Sequence, residues 1–354
     1  MQARENLAAE SGNSAANSTA NSTANSTAKS VADALIPSVS DKQKWWQQMT
    51  EYSLIVIFAV MFLVMSLTVD HFFSIENMLG LALSVSQIGM VSCTMMFCLA
   101  SRDFDLSVGS IIAFAGVLCA MVLNATNNTF IAIAAAVAAG AAIGFVNGAV
   151  IAYLRINALI TTLATMEIVR GFGFIVSHGQ AVGVSSDTFI AMGTASFFGV
   201  QLPIWVTLIC FIVFGVMLNH TVYGRNTLAI GGNPEASRLA GIKVERTRVW
   251  IFLIQGAVTA LAGVILASRI TSGQPNAAEG FELNVISACV LGGVSLLGGR
   301  ATISGVVIGV LIMGTVENVM NLLNIDAFYQ YLVRGAILLA AVLLDQLKNR
   351  GIRD

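Results

Sequence analysis

The chain has 354 residues, of which 56% are hydrophobic and 10% charged, against roughly 25% charged in an ordinary soluble domain. A soluble fold could not cover itself with so few charges. The mean hydropathy of +0.80 comes in apolar blocks long enough to cross a hydrocarbon core, which takes about 20 residues per helix. The formal net charge of −1 offers no basic excess to attract nucleic acid.

Positions 13–30 cycle through Asn, Ser, Thr and Ala, a polar low-complexity tract that cannot bury enough apolar surface to offset its ordering entropy. Residues 1–50 are therefore expected to form a disordered tail. The N-x-T triplets beginning at Asn17, Asn21 and Asn25 would matter only in a secretory lumen, and no apolar stretch of signal-peptide type opens the chain. Lys42, Lys44, Trp45 and Trp46 precede the first apolar block, as cytoplasmic charge and an interfacial aromatic anchor do.

From there the apolar blocks give about ten spans, near 53–69, 78–99, 107–123, 130–154, 159–177, 202–218, 249–267, 283–296, 303–321 and 331–347. The expected fold is an all-α polytopic membrane helix bundle over 51–354. Glu167 and Arg170 interrupt one block and glycines shorten that ending at Leu296, so eight to ten spans fit. Charge tests the layout independently. With the N-terminus inside, the cytoplasmic junctions and tail carry Arg102, Arg155, Arg225, Arg238, Lys243, Arg246, Arg248, Arg300, Lys348, Arg350 and Arg353; beyond the N-terminal tract, only Arg170, Arg269 and Arg334 fall elsewhere. The positive-inside rule then places both termini in the cytoplasm.

Gly140, Gly144 and Gly148 repeat every four residues, and Gly305, Gly309 and, off register, Gly314 do something similar. Such spacing lets a neighbouring backbone approach closely. The segments 101–109 and 292–299 each interrupt an apolar run, which is tolerated only where protein or a water-filled cavity covers the freed backbone groups. The five cysteines (Cys93, Cys98, Cys119, Cys210, Cys289) lie in apolar stretches without a C-x-x-C pair and read as small core hydrophobes. No ligand cluster points to a metal.

The longest polar interval, 219–248, is the most informative. Gly231 and Gly232 lead into Asn233, which can cap a short helix; Pro234 suits its first position, Glu235 its positive end, and Gly241 its C-terminal stop. A short, well-capped cytoplasmic helix is a rigid knob that can transmit force. Glu235, Ala236, Ser237 and Gly241, with Ile251 and Leu253 beyond, resemble the E-A-A loop of bacterial ABC importer permeases, departing at Ser237 and at Ile254, where many members have Pro. The wider resemblance is to the branch with ribose, xylose, galactose and arabinose permeases. Positions 105–110, Thr165-Met166 with Arg170-Gly171, Tyr223-Gly224-Arg225, 233–236 and Gly292-Gly293 carry it, and positions 159–166, 226–233 and 315–324 are most similar to the arabinose members. It covers roughly Tyr52 to the C-terminus.

That resemblance implies an inner-membrane permease that imports a monosaccharide, L-arabinose first. Its partners would be a second copy of the chain, a cytoplasmic ABC ATPase, a periplasmic sugar-binding protein and membrane lipid. The ATPase-coupling residues would be Gly224, Arg225, Asn233, Pro234, Glu235, Ala236, Ser237, Gly241 and Ile242. The chain has no G-x-x-x-x-G-K-[ST] loop, so ATP-Mg belongs on the partner and this chain is a transport subunit, not an enzyme.

Polar residues inside the bundle are expensive unless paired or water-facing. Glu167 and Arg170, spaced i, i+3, are expected to meet, and Asp103 and Asp105 flank Phe104 beside Arg102. Asn318 and Asn321 share a face with a lining role open to them, and Thr161, Thr162, Thr165 and Glu167 complete the candidate substrate path. An ion-coupled secondary sugar transporter, relying on Glu167 and Glu317, is the rival reading; it leaves the cytoplasmic knob unexplained. An intramembrane enzyme would need a nucleophile with its base, or a metal set, and no such motif is present.

Overall fold

The computed structural model describes residues 41–350, which form thirteen helices and four two-residue strands. The helices are α1 (Asp41–Thr68), α2 (Ile75–Ala100), α3 (Val108–Thr126), α4 (Thr129–Tyr153), α5 (Ala158–Ser177), α6 (Asp187–Thr194), α7 (Leu202–His220), α8 (Val222–Gly232), α9 (Pro234–Leu239), α10 (Val244–Arg269), α11 (Phe281–Leu291), α12 (Ile303–Leu322) and α13 (Ala327–Arg350). Each of the ten apolar blocks contains a helix, although the block 283–296 is helical only to Leu291. Among the described residues seven helices (α2, α3, α4, α5, α7, α10 and α12) are long and apolar enough to cross a membrane, while the apolar parts of α1, α11 and α13 are shorter. The chain divides after Ser53. The low-complexity tract at 13–30 lies outside the described residues, and α1 begins at Asp41, ahead of the boundary expected at 50.

Local chemistry sets the helix ends. Ser74, Asn128, Asn157 and Thr302 each accept a hydrogen bond from a backbone N–H in the first turn of α2, α4, α5 and α12, satisfying donors that lipid could not. Asn127 takes the left-handed conformation (φ 50°) that closes α3 and lets α4 start two residues later.

Small residues set the packing. A Cβ at Gly144 would fall on the Phe252 carbonyl oxygen, one at Gly140 would lie 2.5 Å from the Gly256 oxygen, and one at Gly148 2.8 Å from Val249 Cα. Gly256 returns the contact onto the Gly140 carbonyl. So α4 and α10 pack backbone to backbone, where dispersion between closely placed helices replaces the hydrophobic effect that lipid cannot supply. Gly305 and Gly309 bring α12 equally close to Gly292, which caps α11, and to Ala288 of α11. The most apolar stretch of α2 is 78% buried and those of α4 and α5 only 22%, so α2 is central and α4 and α5 present large outer faces.

The two ends of α3 distinguish the ends of the bundle. At its N-terminal end, segments 101–107, 220–244 and 292–302 converge: Gly299 N donates to Ala100 O at 2.9 Å, and Arg102 Nη2 to Gly232 O at 2.7 Å. At the other end Asn124 Nδ2 donates to Gly183 O at 2.9 Å, Thr129 and Thr188 pair their hydroxyls, and Val182–Gly183 pairs antiparallel with Ser272–Gly273. This strand pair, the hairpin Ser196–Phe197 with Val200–Gln201, and α6 are additions to the expected all-helical plan.

The short apolar block at 283–296 has a structural reason. After α10, Gly273 packs on Gly116 of α3, and the Ala278 carbonyl lies 2.5 Å from where a Gly109 Cβ would stand. Irregular backbone therefore runs along α3 for seven residues, about 10 Å at helical rise, before α11 begins. Arg170 of α5 holds it, its Nη1 donating to Pro275 O at 3.0 Å and Ala277 O at 2.6 Å.

Candidate functional site

The knob is built from its caps inward. Asn233 is extended (φ −154°), and its Oδ1 accepts from Glu235 N and Ala236 N, both at 3.0 Å, with Pro234 at the first position of α9. At the other end Gly241 N donates to Arg238 O and Ile242 N to Ser237 O, each at 3.0 Å, with Gly241 at φ +84°. This paired closure satisfies the last carbonyls and requires a left-handed residue at Gly241. Ser237, where the resembled motif has Ala, turns inward: it is buried and its hydroxyl donates to Asn233 O at 2.8 Å. Glu235 and Ala236 are exposed, and Leu239 at the tip is 91% exposed. Leu239 has no counterpart among the residues that the motif pointed to.

Behind the knob, α8 supplies the remaining motif residues. Gly224 is buried at the sharp α7–α8 turn, where a Cβ would strike the Leu218 carbonyl, while Arg225 is exposed and Tyr223 packs on Phe97 with ring centroids 5.4 Å apart. Arg238 pairs with Glu235 one turn back in α9 at 3.0 Å and ties α9 to the first turn of α10 through Glu245 at 2.5 Å. The Glu245 carboxyl is held below its ordinary range by its own backbone N–H and by Arg238. Between the knob, the α4–α5 turn and segment 101–104 lies a cavity of about 570 Å³, whose wall includes Arg102, Arg155, Arg238 and Arg248 with Asp103, Glu235 and Glu245.

Segment 101–107 sits at the back of this cavity. Asp103 pairs with Arg248 at 3.1 Å, and burial pushes its carboxyl up to about 6 although Arg248 and Ser101 pull it down. Asp105 is fully buried and its Oδ1 accepts from Ser107 N at 2.9 Å and Ser107 Oγ at 2.5 Å; burial outweighs these bonds and raises it to about 6.

Among the candidate path residues, Thr162 is buried, donating to Ala158 O at 2.8 Å and to Phe104 O at 3.3 Å. Thr165 donates to Asn147 Oδ1 at 2.6 Å. Thr161 is buried and bonds only its own helix, at Asn157 O. Glu167 is exposed, and the four ion pairs among the described residues do not include it. The expected Glu167–Arg170 pair is thus corrected: Arg170 turns to the carbonyls of the irregular segment, with Glu279, Glu282 and Glu167 within electrostatic reach. On α12, Asn318 exchanges two amide hydrogen bonds with Asn77 of α2, at 2.8 and 3.0 Å, and Asn321 Oδ1 accepts from Gln330 at 2.9 Å. Glu317 is neutralised by Arg334 at 3.0 Å. Asn318 and Asn321 thus do not share a lining cluster with the α5 residues. Asn147, Arg102, Asp103 and Arg248 join the site through long-range partners.

Residues 77–342 match the family described as branched-chain amino acid transport system / permease component. The chain belongs to this permease family and is a multi-pass inner-membrane transport subunit. It is 58% identical over 303 residues to the L-arabinose transport system permease protein AraH of Escherichia coli (strain K12), covering 86% of this chain and 92% of that one. It is 52% identical over 321 residues to the L-arabinose ABC transporter permease protein AraH of Azospirillum brasilense, covering 91% and 95%. The ribose import permease protein RbsC of Escherichia coli (strain K12) is 37% identical over 305 residues, covering 85% and 95%. No solved structure matches the chain.

Proposed function

We propose that this chain is the membrane subunit of an ATP-driven monosaccharide importer with L-arabinose as cargo. It works as two copies, with a cytoplasmic ABC ATPase on each α9 knob and a periplasmic binding protein delivering sugar. The observation that carries the reading is α9 itself, a six-residue helix closed by caps at both ends that presents Leu239 91% exposed. It stands on a chain with no phosphate-binding loop of its own. A bundle so equipped needs an external engine, and the knob is where one can push. The basic residues of the α8–α10 region support a cytoplasmic position for that end, following the positive-inside rule.

The cargo rests on the named arabinose relatives, which are more similar than the ribose permease. The outer face of α5 supports the two-copy arrangement. It exposes Ile160, Leu163 and Ile168 together with Glu167, and a carboxylate facing lipid is costly. Opposed α5 helices of two copies would shield Glu167 from lipid. Glu317 is already matched by Arg334, which leaves an ion-coupled mechanism one relay carboxylate fewer.

The test is to purify the chain together with its ATPase and binding protein and to measure uptake of labelled L-arabinose, ribose, xylose and galactose by the reconstituted complex. L-Arabinose transported ahead of the others supports the cargo; another sugar transported ahead of it overturns that part. A permease that never retains an ATPase overturns the coupling role of α9.

A further inference from the structure

Asn147 is the one amide on α4, a helix otherwise made of apolar and small residues with a threonine at its start and a tyrosine at its end. It is fully buried, and both ends of its amide are used across helices: Nδ2 donates to Ser107 Oγ at 3.1 Å, and Oδ1 accepts from Thr165 Oγ1 at 2.6 Å. Ser107 is in turn held by Asp105. The same short segment meets the knob side through Asp103, paired with Arg248 one turn along α10 from Glu245, the residue that anchors Arg238 of α9. Segment 101–107 is therefore gripped on one side by the helices that carry the knob and on the other by α5. A helix interface between small residues needs no buried amide for packing; two cross-helix bonds, one from each end of the amide, make Asn147 a specific tie.

We infer that Asn147 and Thr165 are positioning residues that transmit displacement of the knob, through Arg248, Asp103 and the Asp105–Ser107 turn, to the path-facing helix α5. This inference rests on the reading of the chain as an ATP-driven permease. When the knob is pushed, α10 carries Arg248, the ion pair drags segment 101–107, and the Ser107–Asn147–Thr165 chain moves α5 with it. Energetic coupling can travel through such contiguous hydrogen-bond and ion-pair networks.

The experiment uses the whole complex in proteoliposomes, with labelled L-arabinose as the probe, and reads sugar taken up per ATP hydrolysed for wild type, Thr165→Val, Asn147→Leu and the double variant. Thr165→Val keeps the side-chain shape and replaces the hydroxyl with a methyl group. Thr194→Val, whose hydroxyl bonds only Ile190 O in its own helix, is the control for loss of a hydroxyl. The expected result is continued ATP hydrolysis with uptake per ATP reduced by about two- to thirtyfold in each single variant, no further loss in the double variant, and no change in the control. A wild-type ratio in Thr165→Val, or losses that add in the double variant, overturns the relay while leaving the permease reading intact. Wild-type uptake that ignores ATP overturns both.

Discussion

Arg248 Nε lies 3.1 Å from the Asp103 carboxylate, an ion pair 145 positions apart in sequence that fastens the first turns of α10 to the break between α2 and α3. Its acid is only 7% exposed at the side chain. Removing one member of a buried pair strands the other, at a cost of about 3 kcal/mol or more. Arg248→Gln should therefore reduce transport sharply.

The pH dependence of that variant follows from Asp103. Burial raises its carboxyl from 3.8 to about 6, so between those values the folded protein holds a proton that an unfolded chain has lost. Its contribution to stability is thus greatest at low pH and falls as pH rises through about 6. Without Arg248 the downward pull disappears and the window extends upward. Uptake and thermal stability of Arg248→Gln, each relative to wild type, should recover on going from about pH 7.5 to about pH 5.5. A defect unchanged across that range would show that the pair is not what holds segment 101–107.

Gly241 sits at φ +84° with open space where a Cβ would be, so substitution meets conformational rather than steric resistance. Gly241→Val should impose strain of about 1–3 kcal/mol and weaken both ATPase co-purification and uptake, with normal abundance in the membrane. Gly241→Asn, which tolerates the left-handed region, should be milder. Equal behaviour of the two variants would contradict the geometric explanation.

Leu239 gives the complementary prediction, since it can be changed without touching the fold. Leu239→Asp should leave thermal stability within about 0.5 kcal/mol of wild type yet lower retention of the ATPase on the purified permease. Undiminished retention would place the contact elsewhere on the knob.

For the bundle, Gly144→Ala places a methyl group on the Phe252 carbonyl and should cost about 1–3 kcal/mol by overpacking, read as a lower unfolding temperature in detergent. Gly232→Ala, with nothing within 4 Å of the added carbon, is the matched substitution and should shift the temperature less.

What the sequence disclosed was local. The caps at Asn233 and Gly241 act within ten residues, and their roles follow from residue type alone. The glycine spacing on α4 likewise announced a close neighbour, although not that α10 would be it. The pairs that shape the interior, Asn77 with Asn318, Asn147 with Thr165 and Arg248 with Asp103, join distant helices, and no period reports them. In lipid the usual guide is also blunted, because the core-facing and lipid-facing sides of a span are both apolar. Glu167 and Arg170 were correctly spaced to meet on one helix, but the chain between α10 and α11 brought carbonyls to Arg170 from more than a hundred positions away. Its irregular course lay hidden in a stretch that reads as an ordinary glycine-containing loop.

In the proposed function, ATP spent by a partner on the α9 knob drives sugar through this chain. The most direct measurement is uptake of labelled L-arabinose by proteoliposomes containing the permease, its ATPase and the binding protein, with and without ATP on the ATPase side and with and without an ionophore. Uptake should require ATP and be unaffected by dissipating the ion gradient. Uptake that proceeds without ATP and collapses with the ionophore would contradict the proposed function.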